Sequence, residues 1–240
     1  MIPSGANMRI LVIDVGGTNV KVYGDGARRV QKFPSGPTFT PAAMAAGVRA
    51  AVKDWRYEAV SLGIPAPVLR GKLVEDPINL GGGWKSFDYR AAFKCPVKLV
   101  NDAAMQALGS YHGGRMLFLG LGTGLGSAMV SDGRIEPMEL AHLPYRKSTF
   151  EDYLGTRGLK RMGKKKWRRH VERAVELLSA ALLPDEVVIG GGNVKKLKAL
   201  PPGARAGSND MAYRGGLRLW DKAGDEAGNK AGDAVRPARR

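Results

Sequence analysis

Apolar residues run along this chain in two rhythms. Short, nearly unbroken runs occur at Ile10-Leu-Val-Ile-Asp-Val15, Val97-Lys-Leu-Val100, Met116-Leu-Phe-Leu119 and Glu186-Val-Val-Ile189. They have the length and β-branched content of buried strands. Other segments repeat apolar residues at helical spacing. In Pro41–Trp55 these are Ala45, Val48, Ala51, Val52 and Trp55, behind Thr40 as a predicted N-cap. Asn101–Tyr111 and Trp167–Leu183 read the same way. Strands alternating with helices predict an α/β protein. The longest apolar runs, near Ile10–Val15 and Met116–Leu121, fall far short of a membrane span.

Glycine, 33 of 240 residues, punctuates the pattern in clusters rather than in a fine repeat. The clusters are Gly16-Gly17, Gly81–Gly83, the alternating set Gly120 to Gly126, and Gly190–Gly192, and all but the second follow a predicted strand. Glycine placed there marks a sharp turn or a close approach of the backbone to a ligand. Two units are alike. Leu11–Gly26 and Leu117–Gly133 each read as strand, Gly/Thr loop, strand and Asp-Gly turn. They lie about a hundred residues apart, which predicts a duplicated domain. Each half would open with a hairpin whose tip offers backbone N–H groups. Two such tips facing across a cleft would grip a phosphate chain from both sides.

Charge changes the picture in one place. The 38 Lys and Arg exceed the 22 Asp and Glu by 16, and the pI is near 10.1. This implies a polyanionic partner or a basic surface. Half the excess lies in Arg157–Arg173, where nine basic residues meet one acid, Glu172. Residues 221–240 carry mixed charge among Ala and Gly and are expected to be a disordered tail. A single cysteine, Cys95, excludes a disulfide framework and a cysteine-built zinc site. The first residues show no secretory signal pattern, so a cytoplasmic location is expected.

Several motifs fail on inspection. Gly158–Lys165 follows a P-loop until its last position, where Lys165 replaces the Ser or Thr that would hold Mg²⁺. The Gly120–Gly126 spacing is not that of a dinucleotide site. His112, His142 and His170 lack metal-ligand spacing. The basic run has no interleaved aromatics beyond Trp167, so nucleic acid is not the favoured partner. What remains are polar residues at strand ends: Asp14, and the pair Asn101-Asp102. Either residue of that pair would serve simply as a helix cap.

The residues that remain resemble a family. Asp14-Val-Gly-Gly-Thr-Asn-Val-Lys21, Val100-Asn-Asp-Ala103, Gly122-Thr-Gly-Leu-Gly126, Glu139-Leu-Ala-His142 and Ile189-Gly-Gly-Gly192 occur in the order found in ROK sugar kinases. These belong to the actin-like ATPase, or hexokinase, superfamily. The polyphosphate glucokinase branch looks nearest. It shares Pro184-Asp185 before the triple glycine, Lys195-Lys196 after it, and the lack of the ROK zinc-binding segment.

The resemblance implies two ribonuclease-H-like lobes around a cleft, residues 1–104 and 105–220, before the tail at 221–240. It implies a kinase for the 6-hydroxyl of glucose, using polyphosphate or ATP with Mg²⁺ and without zinc. Asp102 is then the general base. Asn79, Asn101, Glu139, His142 and Glu151 would bind the sugar. Asp14, Gly16, Gly17, Thr18, Asn19 and Lys21 would form the first phosphate loop, with Asp14 acting on Mg²⁺ through water. Gly122, Thr123 and Gly124 would form the second, and Gly190, Gly191, Gly192 and Asn193 would line the distal donor side. A homodimer is implied by the family alone. The basic segment Arg157–Arg173 is expected to bind long polyphosphate. Alternatives are an ATP-dependent kinase for fructose, mannose or an N-acetylhexosamine, and a non-catalytic sugar-binding or nucleic-acid-binding protein. A sugar-responsive repressor would need an N-terminal DNA-binding segment ahead of the first strand at Arg9, and the residues before it are too few. Two departures stand out. Ala141 replaces the glycine of Glu-x-Gly-His, and Ala66 replaces that of Pro-Gly-Pro. Either would be strained if its position required positive φ.

Overall fold

The computed structural model describes residues 8–24, 29–207 and 210–221. The first half runs β1 (Ile10–Val15), β2 (Asn19–Gly24), β3 (Arg29–Pro34), α1 (Pro41–Ala51), β4 (Ala59–Ile64), β5 (Val68–Leu69), β6 (Lys72–Leu73), α2 (Tyr89–Phe93), β7 (Val97–Asn101) and α3 (Asp102–Ser110). The second runs β8 (Arg115–Leu121), β9 (Leu125–Ser131), β10 (Arg134–Pro137), a 3₁₀ turn at Leu140–His142, β11 (Pro144–Tyr145), β12 (Ser148–Thr149), α4 (Phe150–Leu154) and α5 (Thr156–Leu182). It closes with β13 (Glu186–Gly190), a 3₁₀ turn at Val194–Lys196, β14 (Ala204–Ala206) and α6 (Met211–Arg218). The Asp25-Gly26 turn and nearly all of the expected tail lie outside the described residues. No helix among the described residues is long and apolar enough to cross a membrane.

The expected duplication is visible in the sheets. One five-stranded sheet has the order β3-β2-β1-β4-β7, the other β10-β9-β8-β13-β14. In each, an antiparallel hairpin carries a third antiparallel strand on one side and two parallel strands on the other. Helices α1 and α5 are the matching crossovers. They end differently from the sequence expectation. The first stops at Ala51, short of Trp55. The last begins at Thr156, eleven residues before Trp167, with a kink where Gly163 takes φ 73°. Tertiary packing of Gly158 and Leu159 extends that helix into a stretch whose charge hides its apolar face.

Strand alternation decides which core each residue enters. On β1, Leu11, Ile13 and Val15 face α1 and α2, whereas Val12 faces the middle of the molecule. On β8, Leu117, Leu119 and Leu121 face α4 and α5, whereas Met116 and Phe118 face the middle. Both faces of both sheets are therefore covered, which is why these strands read as unbroken apolar runs. Asp14 shares the parity of Val12 and so points to the middle of the molecule.

The middle layer is α3 against α6. Their backbones approach through glycine: a Cβ on Gly109 would collide with the Met211 carbonyl, and one on Gly215 with the Met105 carbonyl. Around this crossing, Ser61 of β4 donates to the Gly216 carbonyl and accepts from Trp220 Nε1 at 2.8 Å. Lys98 donates to the Leu219 carbonyl at 2.8 Å and lies 4.6 Å over the Trp220 ring. The last helix thus ties the second half of the chain back onto the first sheet.

Gly109→Ala should therefore lower stability by about 1–3 kcal/mol, although alanine is the better helix former. Denaturant unfolding of the variant against the parent chain checks this.

Candidate active site

Asp14 and the pair Asn101-Asp102 lie where strands stop, whereas Asn19 and Lys21 lie on β2, Glu151 on α4 and Asn79 in a loop. β1 ends at Asp14 and Val15, and the turn to β2 is closed by Gly16 N–H donating to the Asn19 carbonyl at 2.9 Å. Ser35 fastens the turn from behind: its hydroxyl donates to the Gly16 carbonyl at 2.6 Å and its N–H to the Thr18 carbonyl at 3.0 Å. Gly17 and Thr18 are left exposed at the tip. Asp14 is buried, and its cross-strand partner Lys21 brings Nζ to 4.0 Å from Oδ2. Burial pushes the Asp14 carboxyl up, and Lys21 opposes that only in part.

The Asn101-Asp102 pair resolves into two roles. Asn101 is the N-cap of α3: its Oδ1 accepts from Ala103 and Ala104 N–H at 2.9 and 3.2 Å. Its Nδ2 donates to the Ala66 carbonyl at 3.2 Å, so its amide is engaged by the scaffold at both ends. Asp102 is the first residue of the helix, with Oδ1 accepting from Ala103 N–H at 2.8 Å. Since Asn101 caps, Asp102 is not needed as the cap. Its carboxyl is pushed up to about 7, first by burial, then by the charge of Asp14, with a smaller push from Glu139. A carboxyl near 7 in a cleft is suited to exchange protons at neutral pH.

The second hairpin tip is held by two later segments. The Gly122 carbonyl accepts from Thr156 N–H at 3.1 Å, Thr156 Oγ1 at 2.9 Å and Asn193 Nδ2 at 3.0 Å. Asn193 N–H donates to the Leu121 carbonyl at 3.0 Å, across a turn in which Gly191 has φ 86° and no room for a Cβ. Gly122, Thr123, Gly124 and the Gly190–Asn193 turn, predicted from far-apart motifs, therefore form one unit. The N-terminus of α5 abuts it through Thr156.

The remaining polar residues complete the cleft. Glu139 stands 3.9 Å from His142, and both are about half exposed. Burial raises the Glu139 carboxyl first; His142 lowers it, and Glu75 and Glu151 raise it further. Asp14, Asp102, Glu139 and Glu151 thus form a line of interacting carboxylates. Glu151, expected among the sugar ligands, accepts from Leu125 N–H at 3.2 Å and so touches the second tip. Asn79 approaches the first tip: its Cβ lies 3.7 Å from where a side chain on Gly17 would begin. The loop bearing Asn79 is braced by Asp76, which accepts from Gly83 and Lys85 N–H at 2.8 and 2.7 Å. Glu75 is the residue that sequence reasoning missed. Nothing in Val74-Glu75-Asp76 distinguishes it; only the fold brings it near Glu139. Ala66 and Ala141 both lack positive φ, so the alanines at the two departures are unstrained.

Among the described residues, no three His, Cys, Asp or Glu side chains group to hold a metal. Mg²⁺ does not require such a cage, since it keeps its waters and leans on one or two carboxylates plus substrate phosphates. The buried carboxylate of Asp14, at the foot of the exposed Gly17-Thr18 tip, fits that mode.

Two sheets of this topology, each opening on a hairpin, give the fold seen in solved ROK family sugar kinases. No family model matches the chain. In structure it is similar to a polyphosphate/ATP-glucomannokinase from an Arthrobacter strain, with a TM-score of 0.75 and 23% identity over 89% of this chain and 98% of that one. It is also similar to a ROK family glucokinase from Streptomyces griseus, in complex with glucose and AMPPNP, with a TM-score of 0.72 and 17% identity over 88% and 98% of the two chains. In sequence it is similar to the polyphosphate glucokinase of Mycobacterium leprae, 25% identical over 210 residues. That match covers 77% of this chain, and the chain spans only 63% of the length of that relative.

A carboxyl with a folded pKa near 7, against about 3.9 in an unfolded chain, costs stability as pH rises between those values. Asp102→Asn should therefore raise the melting temperature at pH 8 and change it much less at pH 4. Thermal unfolding at both pH values reads this directly.

Proposed function

We propose that the chain is a hexose kinase. In this reading it transfers a phosphoryl group from polyphosphate or ATP to the 6-hydroxyl of glucose, with Asp102 as general base. The observation that carries the reading is the placement of Asp102. Asn101 supplies the cap, and the Asp102 carboxyl, raised to about 7, feels the charges of Asp14 and Glu139. Phosphoryl transfer needs in-line positioning and neutralised charge more than covalent help. The tips offer backbone N–H donors to the donor phosphates, and Lys21 adds a cation beside the first. Asp14 would hold Mg²⁺ through water, and the ion when bound supplies neutralisation of the donor phosphates. Asp102 takes the proton of the sugar hydroxyl as its oxygen bonds to the terminal phosphorus and the bridging P–O bond breaks. Asn79, Glu139, His142 and Glu151 would pair the remaining hydroxyls, each of which costs about 1–3 kcal/mol if buried unpaired. Asn101 would meet the sugar only through what its capping role leaves free.

A polyphosphate donor gains support from α5. Its N-terminus touches the second tip, and Lys164, Lys165 and Lys166 stand exposed on the same helix. Arg168 Nε donates to the Lys196 carbonyl at 2.7 Å, which sets Lys195 and Lys196 alongside. A polyanion longer than the cleft would meet this basic flank on leaving the tips.

The decisive assay is formation of glucose 6-phosphate with Mg²⁺, comparing ATP with long-chain polyphosphate and glucose with mannose, fructose and N-acetylglucosamine. Asp102→Asn should lower kcat by about 10²–10⁴-fold. In the parent chain, kcat/KM should fall about tenfold per pH unit below pH 7, because only the ionised carboxylate accepts the proton. No phosphorylation of any of the four sugars would sink the reading. Replacing Lys164, Lys165 and Lys166 with Ala should raise KM for long polyphosphate at least fivefold while KM for ATP stays within about twofold. Equal effects on both donors would remove the basic flank from the donor path.

A further inference from the structure

Outside the cleft, Arg146, Arg161 and Arg169 gather around His170, and none of the three is ion-paired among the described residues. The β11–β12 hairpin turns at Arg146-Lys147, where Arg146 holds a left-handed backbone (φ 58°) that a residue with a Cβ disfavours. Its guanidinium lies 6.0 Å from the centre of the Tyr145 ring. Across from it on α5, the Arg161 guanidinium lies 5.4 Å from the centre of the Tyr153 ring and donates to the Asp152 carbonyl at 2.8 Å. His170, also on α5, joins the two tyrosines. Its Nδ1 is 3.0 Å from the Tyr145 hydroxyl, and its ring centre is 4.8 Å from that of Tyr153. Arg169, its neighbour along the helix, is exposed.

None of Arg146, Arg161 or Arg169 forms an ion pair among the described residues. The nearby acid Asp152 is already engaged by the Ser148 and Thr149 hydroxyls and by Arg157. Burial and then Arg146, Arg169 and Arg161 push the His170 imidazole down, as like charges gathered without an anion must. Two guanidiniums seated on aromatic rings are held in orientation yet keep N–H donors for a further partner. Their forked donors match the oxygens of a phosphate group.

We propose that the surface between the β11–β12 hairpin and α5, framed by Arg146, Arg161 and His170, is a binding site for a phosphate-type dianion, separate from the donor cleft. The inference does not depend on the kinase reading. The site borders α4, whose Tyr153 packs into this cluster while the preceding Glu151 and Asp152 reach the second hairpin tip and Arg157. An anion here would thus brace the short helix that carries Glu151.

The test is histidine NMR of the full chain, in which only His112, His142 and His170 report. His170→Asn assigns its resonance by removing it. Titration with inorganic phosphate at constant ionic strength should shift His170 saturably, and chloride should not. Arg146→Gln should weaken that binding at least fivefold, and adding Arg161→Gln should abolish saturation. Arg146→Lys, which keeps charge and loses the fork, should bind more weakly than the parent and guards against misfolding of the double variant. A parallel titration with glucose 6-phosphate separates a free ion from a phosphate ester as the ligand: a saturable response to either supports the site. A His170 shift that chloride reproduces, that survives the arginine substitutions, or that is absent with both ligands overturns it.

Discussion

The crossing of α3 and α6 is the constraint on which the rest of the molecule hangs. Two sheets, each already covered on its outer face, must share one middle layer. That layer is thin because Gly109 and Gly215 let the helix backbones touch. A thin layer fixes where α3 begins, and α3 begins at Asp102. The carboxylate at the centre of the cleft is therefore positioned by packing of glycine against carbonyl at the far end of the same helix. Proteins transmit such constraints because their interiors are close-packed and yield little.

Electrostatics then does what geometry has prepared. Asp14 enters the middle by strand parity, Asp102 by helix register, and Glu139 by the 3₁₀ turn that follows β10. Each carboxylate is tolerable alone. Burial raises all three, and Asp102 is pushed further toward protonation by the charges of Asp14 and Glu139. The same logic, with the sign reversed, applies on α5, where burial and then Arg146, Arg169 and Arg161 push the His170 imidazole down.

The duplicated topology gives both sheets the same exposed turn with few special residues. Each lobe repeats one hairpin, and each hairpin tip presents backbone rather than side chains. The tips differ in what supports them. Ser35 fastens the first from its own sheet. The second is held by Asn193 and the start of α5, residues brought in from thirty or more positions away.

The sequence by itself determined the alternation of elements, the two similar hairpins, and the strand-end positions of Asp14 and Asn101-Asp102. These are local matters, set by periodicity, glycine and short-range propensity. It also carried the motifs whose order resembles ROK kinases. Tertiary structure alone decided the division of labour in Asn101-Asp102, since both residues are good caps and only the fold shows which one caps. It alone brought Glu75 to Glu139 and turned Glu151 toward the second tip. It also extended α5 back to Thr156 through a stretch whose lysines mask its buried face. Charge repulsion, burial and close approach depend on which distant segments meet, and a linear pattern does not record that.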